Sequence, residues 1–270
     1  MKAGTTWLYA LLRRHPELHF TPQKEIHYFY HKYVNPNQLN DDFRINEANN
    51  RYREFDQSVL SRELFHRYLR WGATYLSNPI DDNWFNGQLH LEGPQRYACD
   101  FSNLHAHLPA EAWSEIEEKC DKLRVLFSMR DPVKRLWSHT KFELQMNNQL
   151  DKLTSWGPQE FDRFLRQPHI WDNAEYGSAL RNLKKGISPD NLKLVFYENI
   201  HTDRDKALLE IEDFLGIAHH SYPDWVKTRR FTEGIKHEMP DFFPSLLVDD
   251  VARIRAEVEA EGYTLPADWT

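Results

Sequence analysis

The chain has 270 residues, 40% hydrophobic and 28% charged, which is enough to bury the core of one domain. The net charge of −7 argues against a general nucleic-acid-binding protein while leaving room for a local basic pocket. Two cysteines, Cys99 and Cys120, are too few for a disulfide framework or a zinc site and favour a reducing compartment, with a single bridge between them left open. No apolar run reaches the length of a bilayer span and no signal peptide is recognisable, so we expect a cytoplasmic protein.

The first residues form a segment rich in anion-binding groups, Lys2-Ala3-Gly4-Thr5-Thr6-Trp7, followed by an amphipathic stretch that predicts a helix. Glycine allows close approach of the backbone to an anion, and a helix start offers unpaired N–H donors. The segment therefore predicts a phosphate-binding loop. Its lysine precedes the glycine, whereas lysine follows the last glycine in the loop of nucleoside triphosphatases. Such loops normally follow a buried strand, and none precedes Lys2 in this sequence. We therefore expect either that upstream residues are missing from the sequence or that another segment replaces the strand.

The hydrophobic pattern, together with the turn-forming residues, predicts the remaining elements in chain order. After the first helix it predicts a mixed strand or loop segment over 21–33, a surface excursion over 34–58, a helix over 59–71, a loop over 77–95, a strand over 96–101 and a helix over 108–120. Beyond that point it predicts buried strands over 123–129 and 192–197, and helices from 132, over 158–166, 171–185, 203–215 and 241–261. Strands separated by helices of this length imply a parallel sheet in an α/β fold. We expect a single domain over residues 1–270 with long loop excursions.

A second candidate anion site begins at Arg130-Asp131-Pro132. Arg130 ends a predicted core strand, where open α/β sheets place their ligands. Its planar guanidinium suits phosphate, and the hydroxyl of Ser138, about two turns into the next helix, can donate to the same oxygens. Taken alone, the segment is equally compatible with an ordinary helix start that has Asp131 as its acidic residue. Together, the two segments indicate a ligand with two separated phosphate groups.

At this point the sequence resembles the sulfotransferases that use 3'-phosphoadenosine 5'-phosphosulfate, a family with a K-x-G-T-T loop and an R-D-P-x-x-R-x-x-S segment. The resemblance covers nearly the whole chain in the same order. It includes K-E-I-H-Y-F from Lys24, D-F-S from Asp100, Y-E-N from Tyr197 and the closing G-Y-T-L-P-A-D-W from Gly262. The K-E-x-H part is similar to that of heparan-sulfate and bacterial carbohydrate sulfotransferases. The resemblance implies a P-loop-type parallel β-sheet flanked by helices.

The resemblance also implies which residues bind the donor. At the 5' phosphosulfate we expect Lys2, Ala3, Gly4, Thr5, Thr6 and Trp7. At the 3' phosphate we expect Arg130 and Ser138, joined by a basic residue for which Arg229, Arg230 and Lys236 are the candidates, and Tyr197 is expected as a further contact of the nucleotide. The resemblance requires no metal, and the sequence contains no ligand cluster that demands one.

Sulfuryl transfer is an in-line displacement with charge developing on the leaving oxygen, and Lys2 is predicted to stabilise that charge. The acceptor hydroxyl or amine must lose a proton. The predicted base is Glu25, because the resembling carbohydrate enzymes use the glutamate of this segment. His27 is the rival, since histidine titrates near neutrality. Asp100 is a third candidate, expected to bind or orient the acceptor or to orient Lys2.

The expected acceptor is a carbohydrate or another small hydroxylated molecule. Two other functions remain open. A small-molecule kinase shares the phosphate-loop architecture, but it needs a lysine after the glycine and a carboxylate that binds magnesium. A non-catalytic nucleotide-binding homologue is the second alternative, and the intact loop and candidate base weigh against it.

Overall fold

The computed structural model describes residues 2–53, 61–89, 91, 93–228 and 235–269. The helices are α1 (Thr5–Leu12), α2 (Tyr28–Tyr33), α3 (Asp41–Arg53), α4 (Arg62–Tyr75), α5 (Asp82–Gln88), α6 (Ala110–Lys119), α7 (Pro132–Met146), α8 (Lys152–Ser155), α9 (Pro158–Leu165), α10 (Pro168–Trp171), α11 (Tyr176–Gly186), α12 (Tyr197–Thr202), α13 (Arg204–Leu215), α14 (Asp224–Thr228) and α15 (Val248–Ala260). Short 3₁₀ helices cover Asn103–His107, Asp172–Ala174, Pro189–Asn191 and Pro244–Leu247. The strands are β1 (Leu18–Phe20), β2 (Tyr97–Cys99), β3 (Val125–Met129) and β4 (Leu192–Phe196).

The strands pair in parallel, which confirms the predicted α/β class. β1 pairs with β2, with Leu18 opposite Tyr97. β3 pairs with β4 from Val125 opposite Leu192 to Met129 opposite Phe196. The expectation of one continuous sheet differs from this arrangement, because the described strands form two separate two-stranded sheets.

Internal contacts divide the chain into two compact units. The first unit consists of residues 1–8, 109–219 and 223–270, and the second of residues 9–108 and 220–222. In the described residues, no helix is both long and apolar enough to cross a membrane. Both cysteines are free thiols.

The core of the first unit forms where α7, α9, α11 and α15 pack against the strand pair β3–β4. Its fully buried members include Met129, Leu136, Phe161, Leu180 and Phe243. The helix boundaries here follow the sequence signals closely. Asp131 accepts a hydrogen bond from the Lys134 N–H at the start of α7, while Gly216 adopts a left-handed φ of 66° where α13 ends.

The second unit has more helix than the sequence pattern predicts. The surface excursion over 34–58 was a wrong prediction for residues 41–53, which form α3, and the loop over 77–95 was wrong for residues 82–88, which form α5. The buried residues of α3 are Arg44 and Ala48, so the helix lacks the apolar stripe by which a helix is recognised in sequence. Within 21–33, the chain leaves β1 at Phe20 and becomes helical at Tyr28, where loop or strand was predicted.

A buried arginine explains how the polar helix α3 packs. Arg44 is 1% exposed, and its guanidinium donates to the carbonyls of Tyr75 and Ser77, just where α4 ends. It also donates to Asp41 and Asn78. The side chain therefore satisfies carbonyls at a helix C-terminus, which periodicity in the sequence does not reveal.

Candidate functional site

The N-terminal loop of the first unit has an unusual backbone conformation. Lys2 and Gly4 adopt φ angles of 63° and 82°, in the left-handed region. A Cβ on Gly4 would lie 3.0 Å from the ring of Tyr197. Glycine is thus required at position 4 both by the backbone conformation and by the approach of an aromatic ring.

The loop leads directly into the first turn of α1. The Gly4 carbonyl accepts hydrogen bonds from the N–H groups of Trp7 and Leu8, at 3.0 and 3.2 Å. The preceding N–H groups, those of Thr5 and Thr6, have no partner within the helix, because helix geometry supplies none in the first turn. These donors and the helix dipole together favour an anion at this position.

Two hydrogen bonds fix the loop to the first unit. The Ser128 hydroxyl on β3 donates to the Ala3 carbonyl. The indole Nε1 of Trp7 donates to the Lys227 carbonyl at 2.9 Å. The sequence reasoning missed Ser128, whose only signal was one polar residue within an otherwise apolar strand. These bonds hold both ends of the loop.

The backbone of Arg130 is held between strand and helix by one tyrosine. The Tyr176 hydroxyl donates to the Arg130 carbonyl at 2.9 Å and accepts its N–H at 3.3 Å. The guanidinium is oriented separately, with Nη1 donating to the Lys2 carbonyl at 3.4 Å and Cζ 4.3 Å from the Tyr197 ring centroid. Nε is buried and has no hydrogen-bond partner among the described residues. A buried orphan donor on a cation fits an anionic ligand.

A buried glutamate supports the same turn. Glu198, 8% exposed, accepts the N–H of Asp131 at 3.0 Å through Oε1. Its Oε2 accepts the indole N–H of Trp269, also at 3.0 Å. Glu198 therefore joins the start of α12, the turn before α7 and the C-terminal residues.

The ammonium of Lys2 lies in a mostly cationic environment. Its Nζ is 4.5 Å from the ring centroid of Phe142 on α7. Burial, Arg130 and Lys141 lower the pKa of Lys2, and the carboxylate of Glu143 opposes them. The ammonium is thus partly desolvated, which strengthens its interaction with an anion.

The remaining predicted donor-binding residues are less constrained. Ser138 is half-buried on α7, one turn before Phe142 and on the same side of the helix. Lys236 is exposed. The alternatives Arg229 and Arg230 lie outside the described residues. The structure thus brings together Lys2, Gly4, Arg130 and Tyr197, and it places Ser138 on the adjoining helix.

In the second unit, the predicted base forms part of a charged triplet. Glu25 Oε1 lies 2.8 Å from Lys24 Nζ, and its Oε2 lies 3.5 Å from His27 Nε2. Burial alone would raise the pKa of Glu25, but Lys24 and His27 lower it below its usual value. Burial lowers the pKa of His27, although Glu25 opposes this. At neutral pH the pair therefore consists of a carboxylate and a neutral imidazole.

Asp100 contacts the backbone between Glu25 and His27. Its Oδ1 accepts the N–H of Ile26 at 3.3 Å and both the N–H and hydroxyl of Ser102, at 3.0 and 2.5 Å. Its Oδ2 is 3.6 Å from His105 Nε2. Burial raises the pKa of Asp100, and the hydrogen bonds from Ser102 oppose that rise. Asp100 thus contacts the chain's own donors, and its predicted contact with an acceptor stays a prediction.

Comparisons with known proteins show the fold and the family of the chain. A solved sulfotransferase from Alicyclobacillus acidocaldarius is similar over 99% of this chain and 94% of that chain, with a TM-score of 0.61. At 16% identity, the similarity shows a shared fold. No curated protein sequence matches the chain. The model of the sulfotransferase family matches residues 1–221, which is most of the chain. The chain therefore belongs to the sulfotransferase family.

Proposed function

We propose that the protein transfers a sulfuryl group from 3'-phosphoadenosine 5'-phosphosulfate to a hydroxyl or amine of a carbohydrate acceptor. The observation that carries the proposal is the contact of the N-terminal loop with Arg130, whose Nη1 donates to the Lys2 carbonyl. Two cationic side chains and the first N–H groups of α1 thereby share one end of the first unit. The donor has negative groups at both its 5' and 3' positions, and these residues suit them.

In the proposed reaction, the bond between sulfur and the bridging phosphate oxygen breaks while an acceptor oxygen or nitrogen bonds to sulfur. Lys2 stabilises the negative charge that develops on the bridging oxygen. The N–H groups of Thr5 and Thr6 orient the 5' phosphosulfate, and Arg130 with Ser138 binds the 3' phosphate. Adenosine 3',5'-bisphosphate leaves with the bridging oxygen.

The acceptor's proton goes to Glu25 in this proposal. Its lowered pKa keeps the carboxylate ionised at neutral pH, so it can accept a proton. His27, 3.5 Å away, is neutral and serves as a hydrogen-bond partner for the carboxylate, or as the base if Glu25 proves dispensable. Lys24 fixes the other carboxylate oxygen.

Transfer of labelled sulfate to a panel of glycans and small hydroxylated molecules, with a chelator present, tests the proposal. We expect transfer to at least one acceptor, and Lys2→Met should reduce it by about 100-fold or more, as for other lost electrostatic contacts. Lys152→Met is the control, because Lys152 Nζ, like that of Lys2, lies over an aromatic ring, here that of Trp156. Binding of the bisphosphate without turnover of any acceptor would instead favour a non-catalytic homologue. Transfer of a phosphoryl group from ATP would favour a kinase.

A further inference from the structure

A third cation lies beside Lys2 and Arg130. Lys141 follows Ser138 by three residues on α7, so the two side chains lie on the same side of that helix. The next residue, Phe142, has its ring centroid 4.5 Å from Lys2 Nζ. Helix α7 thus brings Lys141 to the end of the first unit that holds the loop.

Lys141 is held in place by the protein with part of its hydrogen-bonding capacity unused. Its Nζ donates to the Ile235 carbonyl at 3.1 Å and lies 5.5 Å from the ring centroid of Trp137. An ammonium carries three donors. The described residues supply one hydrogen-bond acceptor for it, so two donors remain for a ligand.

The positive charge here is concentrated. Burial and Arg130 lower the pKa of Lys141, and Lys141 in turn lowers that of Lys2. Glu143 opposes the effect on Lys2. Holding like charges together in a partly desolvated site is unfavourable unless an anion joins them. A ligand with several negative charges would relieve this repulsion.

We propose that Lys141 is a third donor-binding cation, which contacts the 3' phosphate beside Ser138. The choice of the 3' phosphate follows from the position of Lys141 one turn beyond Ser138. A second cation there matches a phosphate that carries close to two negative charges at neutral pH. The inference rests on the proposed function, because it presumes that the loop binds this donor.

The test is calorimetric binding of adenosine 3',5'-bisphosphate and of adenosine 5'-monophosphate to the full chain. We expect Lys141→Met to weaken bisphosphate binding by about tenfold, the effect of one charge-assisted hydrogen bond, and to change monophosphate binding by less than about twofold. Lys141→Arg should keep most of the affinity, since it keeps the charge. Lys152→Met, a lysine that contacts Trp156 and Gln149 in the same way, should leave both affinities unchanged.

Two outcomes would overturn the inference: unchanged bisphosphate binding in Lys141→Met, or an equal loss for both nucleotides, which would indicate a structural role through Ile235. If Lys141→Met fails to fold, Lys141→Gln, which also removes the charge, replaces it, and Lys141→Arg remains the charge-keeping reference, with melting temperatures recorded for each variant. Arg130→Met separates this inference from the proposed function. If neither variant weakens bisphosphate binding, the proposed donor site fails; if only Arg130→Met does, the site stands and Lys141 is not part of it.

Discussion

The hydroxyl of Ser102 accepts the backbone N–H of His27 at 2.7 Å. The same hydroxyl donates to Asp100, so one serine links the residues after β2 to the start of α2. His27 has a φ of 60° at that point, a conformation that is unfavourable for a side-chain-bearing residue. The hydrogen bond helps to hold this conformation and with it the position of the His27 ring near Glu25.

Ser102→Ala should therefore lower turnover without changing the affinity of the donor site for its nucleotide. Removing the hydroxyl leaves the buried His27 N–H unpaired, which costs about 1–3 kcal/mol, and we expect kcat to fall by roughly tenfold as the Glu25–His27 pair shifts. Steady-state kinetics and bisphosphate calorimetry measure both effects. Ser114→Ala is the control, since Ser114 donates to a helical carbonyl in the first unit. An unchanged kcat would show that Ser102 does not position the pair.

Replacing Glu198 should loosen the turn that carries Arg130. In Glu198→Gln, one side-chain position becomes an NH₂ donor facing an N–H group, either that of Asp131 or the indole of Trp269. We expect the free energy of unfolding to fall by about 1–3 kcal/mol and bisphosphate binding to weaken. Urea unfolding and calorimetry would measure the two changes. Glu210→Gln, at an exposed carboxylate, should have neither effect, and equal losses in both variants would contradict this role for Glu198.

The pH dependence of kcat/KM should distinguish the two candidate bases. A base must be unprotonated to act, and activity falls as the pH drops through its pKa. The pKa of Glu25 is lowered, so its acid limb should lie below the usual glutamate value of about 4.3. His27→Asn should keep that limb if Glu25 is the base. A limb near or above pH 6.5 that disappears in His27→Asn would contradict both the lowered pKa of His27 and the assignment to Glu25.

Arg44→Met should destabilise the second unit. The substitution keeps most of the apolar stem but leaves the carbonyls of Tyr75 and Ser77 without their buried donor. We expect a loss of about 3 kcal/mol in unfolding free energy, measured by urea denaturation. Arg53→Met, at an exposed position of α3, provides the comparison. A loss below about 0.5 kcal/mol would show that Arg44 contributes little net stability.

The sequence predicted the first unit better than the second. In the first unit the strands are apolar runs and the helices begin and end at recognisable residues, such as Asp131 and Gly216, so local chemistry determines the boundaries. In the second unit α3 is stabilised by Arg44, whose carbonyl partners Tyr75 and Ser77 lie more than 30 residues away along the chain. Such long-range contacts cannot be derived from local periodicity.

In the candidate site, too, some residues were predictable from the sequence and others were not. The loop residues and Arg130 were identified because their residue types form a recognisable phosphate-binding pattern. Ser128 and Lys141 were missed, since a serine in a strand and a lysine in a helix are ordinary in sequence and gain meaning only from their contacts. The hydrogen bond between Ser102 and His27 likewise joins segments 75 residues apart.

The close approach of Gly4 to the Tyr197 ring has a consequence for how this protein can vary. A side chain at position 4 would displace the ring, and without the ring the Arg130 guanidinium would lose its aromatic contact. Positions 4, 130 and 197 therefore depend on one another under mutation, although they lie far apart in the sequence. Substitutions among them should be non-additive, and among related sequences we expect these positions to be kept or replaced together.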